Sequence, residues 1–319
     1  MRTLSPKYAT LIALIALIAV APLFFPSTFY YRIGALIFIN GLAVIGLVVL
    51  IGYAGQISLG HAGFAGIGAY ACALGPIYLG LPPVLSLILG AVLSGAIAWL
   101  VGRPILRLRG HYLAVATLGF GILIYIVLNN EAQLTGGPDG MPVEGLGLRE
   151  LLKSAGFEIK ASKLWYWLAA LVMLVGALLA LNLHDSPTGR ALRSLHDSEV
   201  AARSVGIDVS KYKLIAFVIS AIYASVAGSQ IALMNKFISP DIAGFLHSIE
   251  LLTMTVLGGA AMVFGAVIGA TILTALPQVL TALHDFENLV LGLIMMLVMI
   301  FMREGLVPSL ARLVRRRER

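Results

Sequence analysis

Apolar runs of about 17–25 residues, each able to cross a hydrocarbon core of ~30 Å as one helix, recur along almost the whole chain and limit its folds more than any other feature. They fall near residues 9–25, 33–51, 63–80, 84–101, 112–128, 165–182, 214–234, 249–262, 264–282 and 288–302. With 60% hydrophobic and 12% charged residues among 319, the polar surface is too small to cover a water-soluble globule. The runs also lack the period-2 alternation of a membrane barrel. The expected fold class is therefore all-α, a polytopic transmembrane helical bundle of about ten spans, some short or broken.

A single membrane domain, 1–319, uses up the chain, because no segment between the runs is long enough for a second core. Segment 129–164 reads as an outer loop, 183–213 as an inner loop and 303–319 as a basic inner tail. Charge parity supports this order, since cytoplasmic loops carry the Lys/Arg excess. With the N-terminus inside and ten spans, Arg2, Lys7, Arg103, Arg107, Arg109, Arg190, Arg193, Arg203, Lys211, Lys213, Arg303, Arg312, Arg315, Arg316, Arg317 and Arg319 all fall inside, 16 of the 22 basic residues. Nine spans would throw the Arg-rich tail to the far side. Ten spans fit, as do eight with the last long stretch rearranged. Within 249–282, the glycines from Gly258-Gly259 to Gly265 offer the natural break.

At the N-terminus, Arg2 and Lys7 precede the run Ala9 to Phe25, and Ala19-Val20-Ala21 matches a small-residue cleavage site. Pro22 directly after that site disfavours cleavage, so an uncleaved first helix is expected, with both termini inside. The net charge of +7 is scattered over the ends of runs instead of forming a stripe, so nucleic acid is not an expected partner and the lipid bilayer is. The single cysteine, Cys72, can form neither an internal disulfide nor a cysteine metal cluster and reads as a packing residue.

Four stretches depart from plain membrane helix. The first is Gly52-Tyr53-Ala54-Gly55-Gln56-Ile57-Ser58-Leu59-Gly60-His61-Ala62-Gly63, where glycines bracket Gln56, Ser58 and His61. It reads either as a broken helix lining a transport pathway or as a tight cytoplasmic turn with capping side chains. The second, Gly189 to Ile207, holds two helical blocks. In the later block, Asp197 or Ser198 can cap, Glu199 suits the positive end of the helix dipole and Gly206 supplies the stop. That block suits a partner's groove, or else it lies at the headgroups with Arg190, Arg193 and Arg203 on phosphate. The third, Leu134-Thr135-Gly136-Gly137-Pro138-Asp139-Gly140, is turn chemistry on the outer side, structural or a docking point for an external partner. The fourth is Glu250 near an outer span end, a pathway residue or a carboxylate favoured by the helix N-terminus.

Motifs for nucleotide, zinc-protease or serine-hydrolase chemistry are missing. The histidines, dispersed at His61, His111, His184, His196, His247 and His284, lack metal-cluster spacing. No catalytic residue, metal or cofactor is expected in this chain. A transporter without its own energy source is passive or powered by a partner.

Taken together, the chain from about Ile39 to Leu306 resembles the permease subunits of branched-chain amino-acid ABC importers, of the LivM type. The resemblance rests on the Gly52–Ala62 stretch; Leu106-Arg107-Leu108-Arg109-Gly110-His111-Tyr112-Leu113-Ala114 with Thr117 to Gly121; Leu134 to Pro138; Arg190 to Phe217; and Ile238-Ser239-Pro240-Asp241 with Ser248-Ile249-Glu250. It implies an ABC importer permease fold in the bacterial inner membrane, with 129–164 periplasmic and 183–213 a cytoplasmic coupling loop. Glu199, Ala201, Ala202 and Gly206 match the family's motif for docking into an ATPase, small side chains allowing close approach. Partners implied are a second homologous permease, two ATPases that bind ATP and Mg, and a periplasmic binding protein for which Thr135 and Asp139 are docking candidates. Gln56, Ser58, His61 and Glu250 are the pathway candidates. The chain departs from the pattern at Ile122 and Tyr125, where the family often has Glu and Arg, and at Ala260-Ala261. Urea or short-chain amide importers use similar permeases, and a stand-alone channel or secondary carrier is the reading from another class.

Overall fold

The structure, a computed structural model, describes residues 6–108, 110–147 and 160–279, with isolated positions between 289 and 305. Most of the expected tenth span, the basic tail, Arg109 and the middle of the 129–164 loop lie outside the described residues.

Helix α1 (Pro6–Val20) passes through a 3₁₀ turn into α2 (Thr28–Leu47), which continues as a π-helical turn over Val48–Tyr53. After an irregular segment come α3 (His61–Leu79), α4 (Pro83–Ile105), α5 (His111–Asn130) and the single turn α6 (Ala132–Thr135). Strand β1 (Met141–Pro142) precedes α7 (Ala161–Asp185), α8 (Pro187–Asp197), α9 (Glu199–Ser204) and α10 (Val209–Asn235). Strand β2 (Phe237–Ile238), α11 (Phe245–Gly258) and α12 (Val263–Val279) follow.

Among the described residues, six stretches are long and apolar enough to cross a membrane: Thr28–Tyr53, His61–Leu79, Pro83–Ile105, His111–Asn130, Ala161–Asp185 and Val209–Asn235. The expected 249–262 and 264–282 runs are α11 and α12, of 14 and 17 residues, or about 21 and 26 Å at helical rise. Helix α11, and α12 over its described residues, are shorter than the ~30 Å core. The break falls at Gly259, whose φ of 106° suits glycine alone. The two helices then double back on each other, the backbone of Gly258 meeting that of Gly265 and Gly269 meeting Met254.

Helix α10 is the hub, packed on α2, α3 and α4, while α7 lies along α2. Small residues set these distances, as expected where lipid removes the hydrophobic drive for association. Gly68 sits on the Ser225 backbone and Gly228 on that of Ala65, so α3 and α10 touch main chain to main chain. At one end of the bundle the antiparallel pairs Met141↔Ile238 and Pro142↔Phe237 tie the segment after α5 to the end of α10. The opposite end carries α8 and α9. Helix α1 is held to the bundle by the Tyr166 hydroxyl, which donates to the Ile18 carbonyl at 2.8 Å.

Candidate functional site

The polar break between α2 and α3 begins where α2 widens into its π turn. The Gly55 N–H returns to the Ile51 carbonyl and the Gln56 N–H to that of Leu50, which closes the helix. The chain then turns back into the bundle instead of staying at its end. Helix α3 starts against the middle of α10, since His61 meets Ser220, and beside Gly46, seven residues before the π turn ends at Tyr53. That places the first turn of α3 about 10 Å inside the end of α2.

Irregular backbone at such depth survives only if protein satisfies its amides. Here the Leu59 N–H donates to Thr117 Oγ1 and the Ala62 N–H to Ser248 Oγ, both at 3.1 Å. Gly60 lies so close to the Thr117 carbonyl that a Cβ would collide with it. His61 Nε2 lies 3.0 Å from the Ser220 carbonyl oxygen and 2.8 Å from Ser220 Oγ. The Ser220 hydroxyl donates to the Gly46 carbonyl at 2.7 Å, so the imidazole carries its proton on Nε2 and leaves Nδ1 an acceptor.

Gln56, Ser58 and His61 are all buried, at 3%, 2% and 0% exposure. Gln56 Oε1, Ser58 Oγ and His61 Nδ1 have no hydrogen-bond partner, three of the seven such buried side-chain atoms among the described residues. Buried polar groups are ordinarily paired, so the three unpaired atoms set this break apart from ordinary buried helix.

At the α8 and α9 end, Ser186 caps α8 by accepting from the Gly189 N–H at 3.0 Å, with Pro187 in the first turn. Leu192 and Leu195 turn inward and Arg190 outward. Arg193 reaches back to His184, 2.8 Å from its Nε2, while His184 Nδ1 meets Asp185 at 3.1 Å and the ring packs edge-on to Tyr53. Ser198, and not Asp197, caps α9, accepting from the Ala201 N–H at 3.3 Å. Gly206 ends it at φ 83°, and the Ile207 N–H closes back on the Ala202 carbonyl. Of the two small residues expected to face a partner, Ala201 is exposed and Ala202 is buried in the chain's own core at 2%. Val200 and Val205 present apolar surface instead, at 77% and 73% exposure. Glu199 makes an ion pair with Lys213.

The other end separates its candidates. Thr135 is buried, donating to the Leu128 carbonyl at 2.6 Å and accepting from the Gly137 N–H at 3.2 Å, so it locks the turn; Asp139 is exposed. Glu250 meets His247 at 3.3 Å and lines an open cavity of about 560 Å³ with Asn235, Ser239, Asp241 and His247. The structure thus gathers Gln56, Ser58 and His61 at one break and leaves Glu250, Thr135 and Asp139 apart from it. Sequence reasoning passed over Ser220, Val200, Val205 and the partner of Lys213. One available signal was that Lys213 shares a helical stripe with Ala216, Phe217 and Ser220.

The apolar spans, the small-residue contacts and the buried polar break define a multi-pass helical membrane protein of the transporter class. More particularly, the chain belongs to the family described as "branched-chain amino acid transport system / permease component", which matches residues 30–301. It is 36% identical over 282 residues to the high-affinity branched-chain amino acid transport system permease protein LivM of Salmonella typhimurium, covering 83% of this chain and 66% of that one. To LivM of Escherichia coli K12 it is 35% identical over 316 residues, covering 93% and 74%. The corresponding permease LivH of Escherichia coli K12 is 26% identical over 279 residues, covering 83% and 90%. No solved structure matches the chain.

Proposed function

We propose that this chain is one of two related permease subunits of a bacterial inner-membrane ABC importer for branched-chain or related aliphatic amino acids. The observation that carries this is the family match over residues 30–301, with LivM-type relatives at 35–36% identity. The weaker likeness to LivH supports a second, homologous permease as partner. Two ATPases hold ATP and Mg and supply the energy, and a periplasmic binding protein delivers the solute. The end carrying α8 and α9 faces the cytoplasm, and the β1/β2 end faces the periplasm.

In this reading, α9 docks on an ATPase through Val200, Ala201 and Val205, with Glu199, Ala202 and Gly206 shaping the helix from within. Closure of the ATPase dimer then shifts the bundle between two access states. Gln56, Ser58 and His61 face the solute's path, and Glu250 stands beside the periplasmic cavity. Support for the path comes from the unpartnered polar atoms at the break. The test of the solute is competition in a reconstituted complex with both permeases, the ATPases and the binding protein. Excess leucine abolishes uptake of labelled valine while excess urea leaves it unchanged; inhibition by urea alone would assign the chain to a urea or amide importer.

A further inference from the structure

We infer that Lys213 is the positioning residue that couples the docking helix to the translocation break: its ion pair with Glu199 fastens α9 to the foot of α10, and α10 carries the movement to His61. The inference rests on the functional reading above and adds to it a named mechanical link.

A lysine that served only to orient the chain in the membrane would keep its ammonium in water, as exposed Lys211 does. The Lys213 side chain is instead 5% exposed. Removing a charge from water is costly unless a partner compensates it, and the compensating carboxylate is Glu199, the first residue of α9. Such a pair adds little net stability, but it fixes geometry, because the buried Lys213 ammonium loses heavily if it separates from the half-buried Glu199.

Helix α9 needs a tether of this kind. It has six residues, and of these only Ala202 is buried. Val200 and Val205 are exposed, so force a partner applies there enters the chain through buried Ala202, the packing on α8 and the Glu199–Lys213 pair. Lys213 receives it at the foot of α10. Ser220 lies seven residues further along, two helical turns and so on the same face, about 10 Å away. Its carbonyl and hydroxyl meet His61 Nε2, and its hydroxyl also holds the Gly46 carbonyl of α2. One face of one rigid helix therefore joins the docking segment to the first residue of α3 and to α2. Close-packed interiors transmit such shifts without absorbing them. Spatial continuity alone does not establish coupling, so the link is tested by its energetics.

The experiment uses the complete importer in proteoliposomes and reads ATP hydrolysed per leucine imported. Lys213→Met is expected to raise that ratio about tenfold or more, and combining it with Glu199→Gln is expected to add little, as residues in one interaction do not act additively. Exchanging the charges, Lys213→Glu with Glu199→Lys, is expected to bring the ratio back to within about threefold of wild type, since the pair is restored in reverse. A wild-type ratio in Lys213→Met, or effects that multiply in the double variant, would overturn the inference. If the single variant fails to fold, the double and exchanged variants decide, because neither leaves Glu199 charged without its partner; an exchanged variant as uncoupled as the double one counts against the pair. Absence of ATP-driven leucine import by the wild-type complex would refute the functional reading and is seen before any variant is made.

Discussion

At Ser220 a single hydroxyl joins two helices to a third, since it donates to Gly46 of α2 and lies 2.8 Å from His61 of α3. Ser220→Ala removes the hydroxyl that donates to the buried Gly46 carbonyl, a loss of about 1 kcal/mol. The expected outcome is a lower Tm for the purified protein in detergent; an unchanged Tm would show that this hydroxyl holds nothing. Gly60 offers a sharper contrast. Gly60→Ala drives a Cβ into the Thr117 carbonyl and is expected to reduce the yield of folded protein several-fold. Gly119→Ala, on an exposed helical face with open space around it, is expected to stabilise α5 by up to about 1 kcal/mol. Parallel expression and thermal scans compare the two.

At the scale of elements, α9 lets packing and the proposed docking be tested apart, since Ala202 is buried and Val200 exposed. Ala202→Leu overfills a buried position and is expected to cost about 1–3 kcal/mol, read as a fall in Tm. Val200→Asp, at an exposed position, is expected to leave Tm unchanged and abolish co-purification with the ATPases. The reverse pattern would move the docking face elsewhere. Helix starts and stops around α9 were legible in the sequence, because Ser198 and Gly206 are local signals with local chemistry. The direction in which Ala202 points was not, since a six-residue helix has no periodicity long enough to declare a face, and contacts far along the chain decide it. Thr135 was hidden for the same reason: turn chemistry located the turn, while the inward hydroxyl depends on the Leu128 carbonyl. Lys213 was counted among topology charges, because a charge-parity argument weighs the side of the membrane and takes no account of depth.

For the whole molecule, the apolar runs and the glycines at 258–265 were enough to expect a helical bundle with a late break, and the α11/α12 reversal lies where they pointed. The depth at which α3 begins was not legible, since it follows from the packing of α2, α5, α10 and α11 around the break. The proposed orientation has its own check in a Cys72→Ser background. Cysteine at Asp139 is expected to react with an impermeant thiol reagent added to whole periplasm-accessible cells, and cysteine at Val200 only after the membrane is opened; the opposite result would invert the bundle. The central claim, an importer subunit that depends on separate ATPases, is met most directly by leucine accumulation in proteoliposomes. The account predicts accumulation against a gradient only when this chain, its second permease, the ATPases, the binding protein and ATP are all present. Leucine flux through the purified single chain without ATPase or ATP would contradict it.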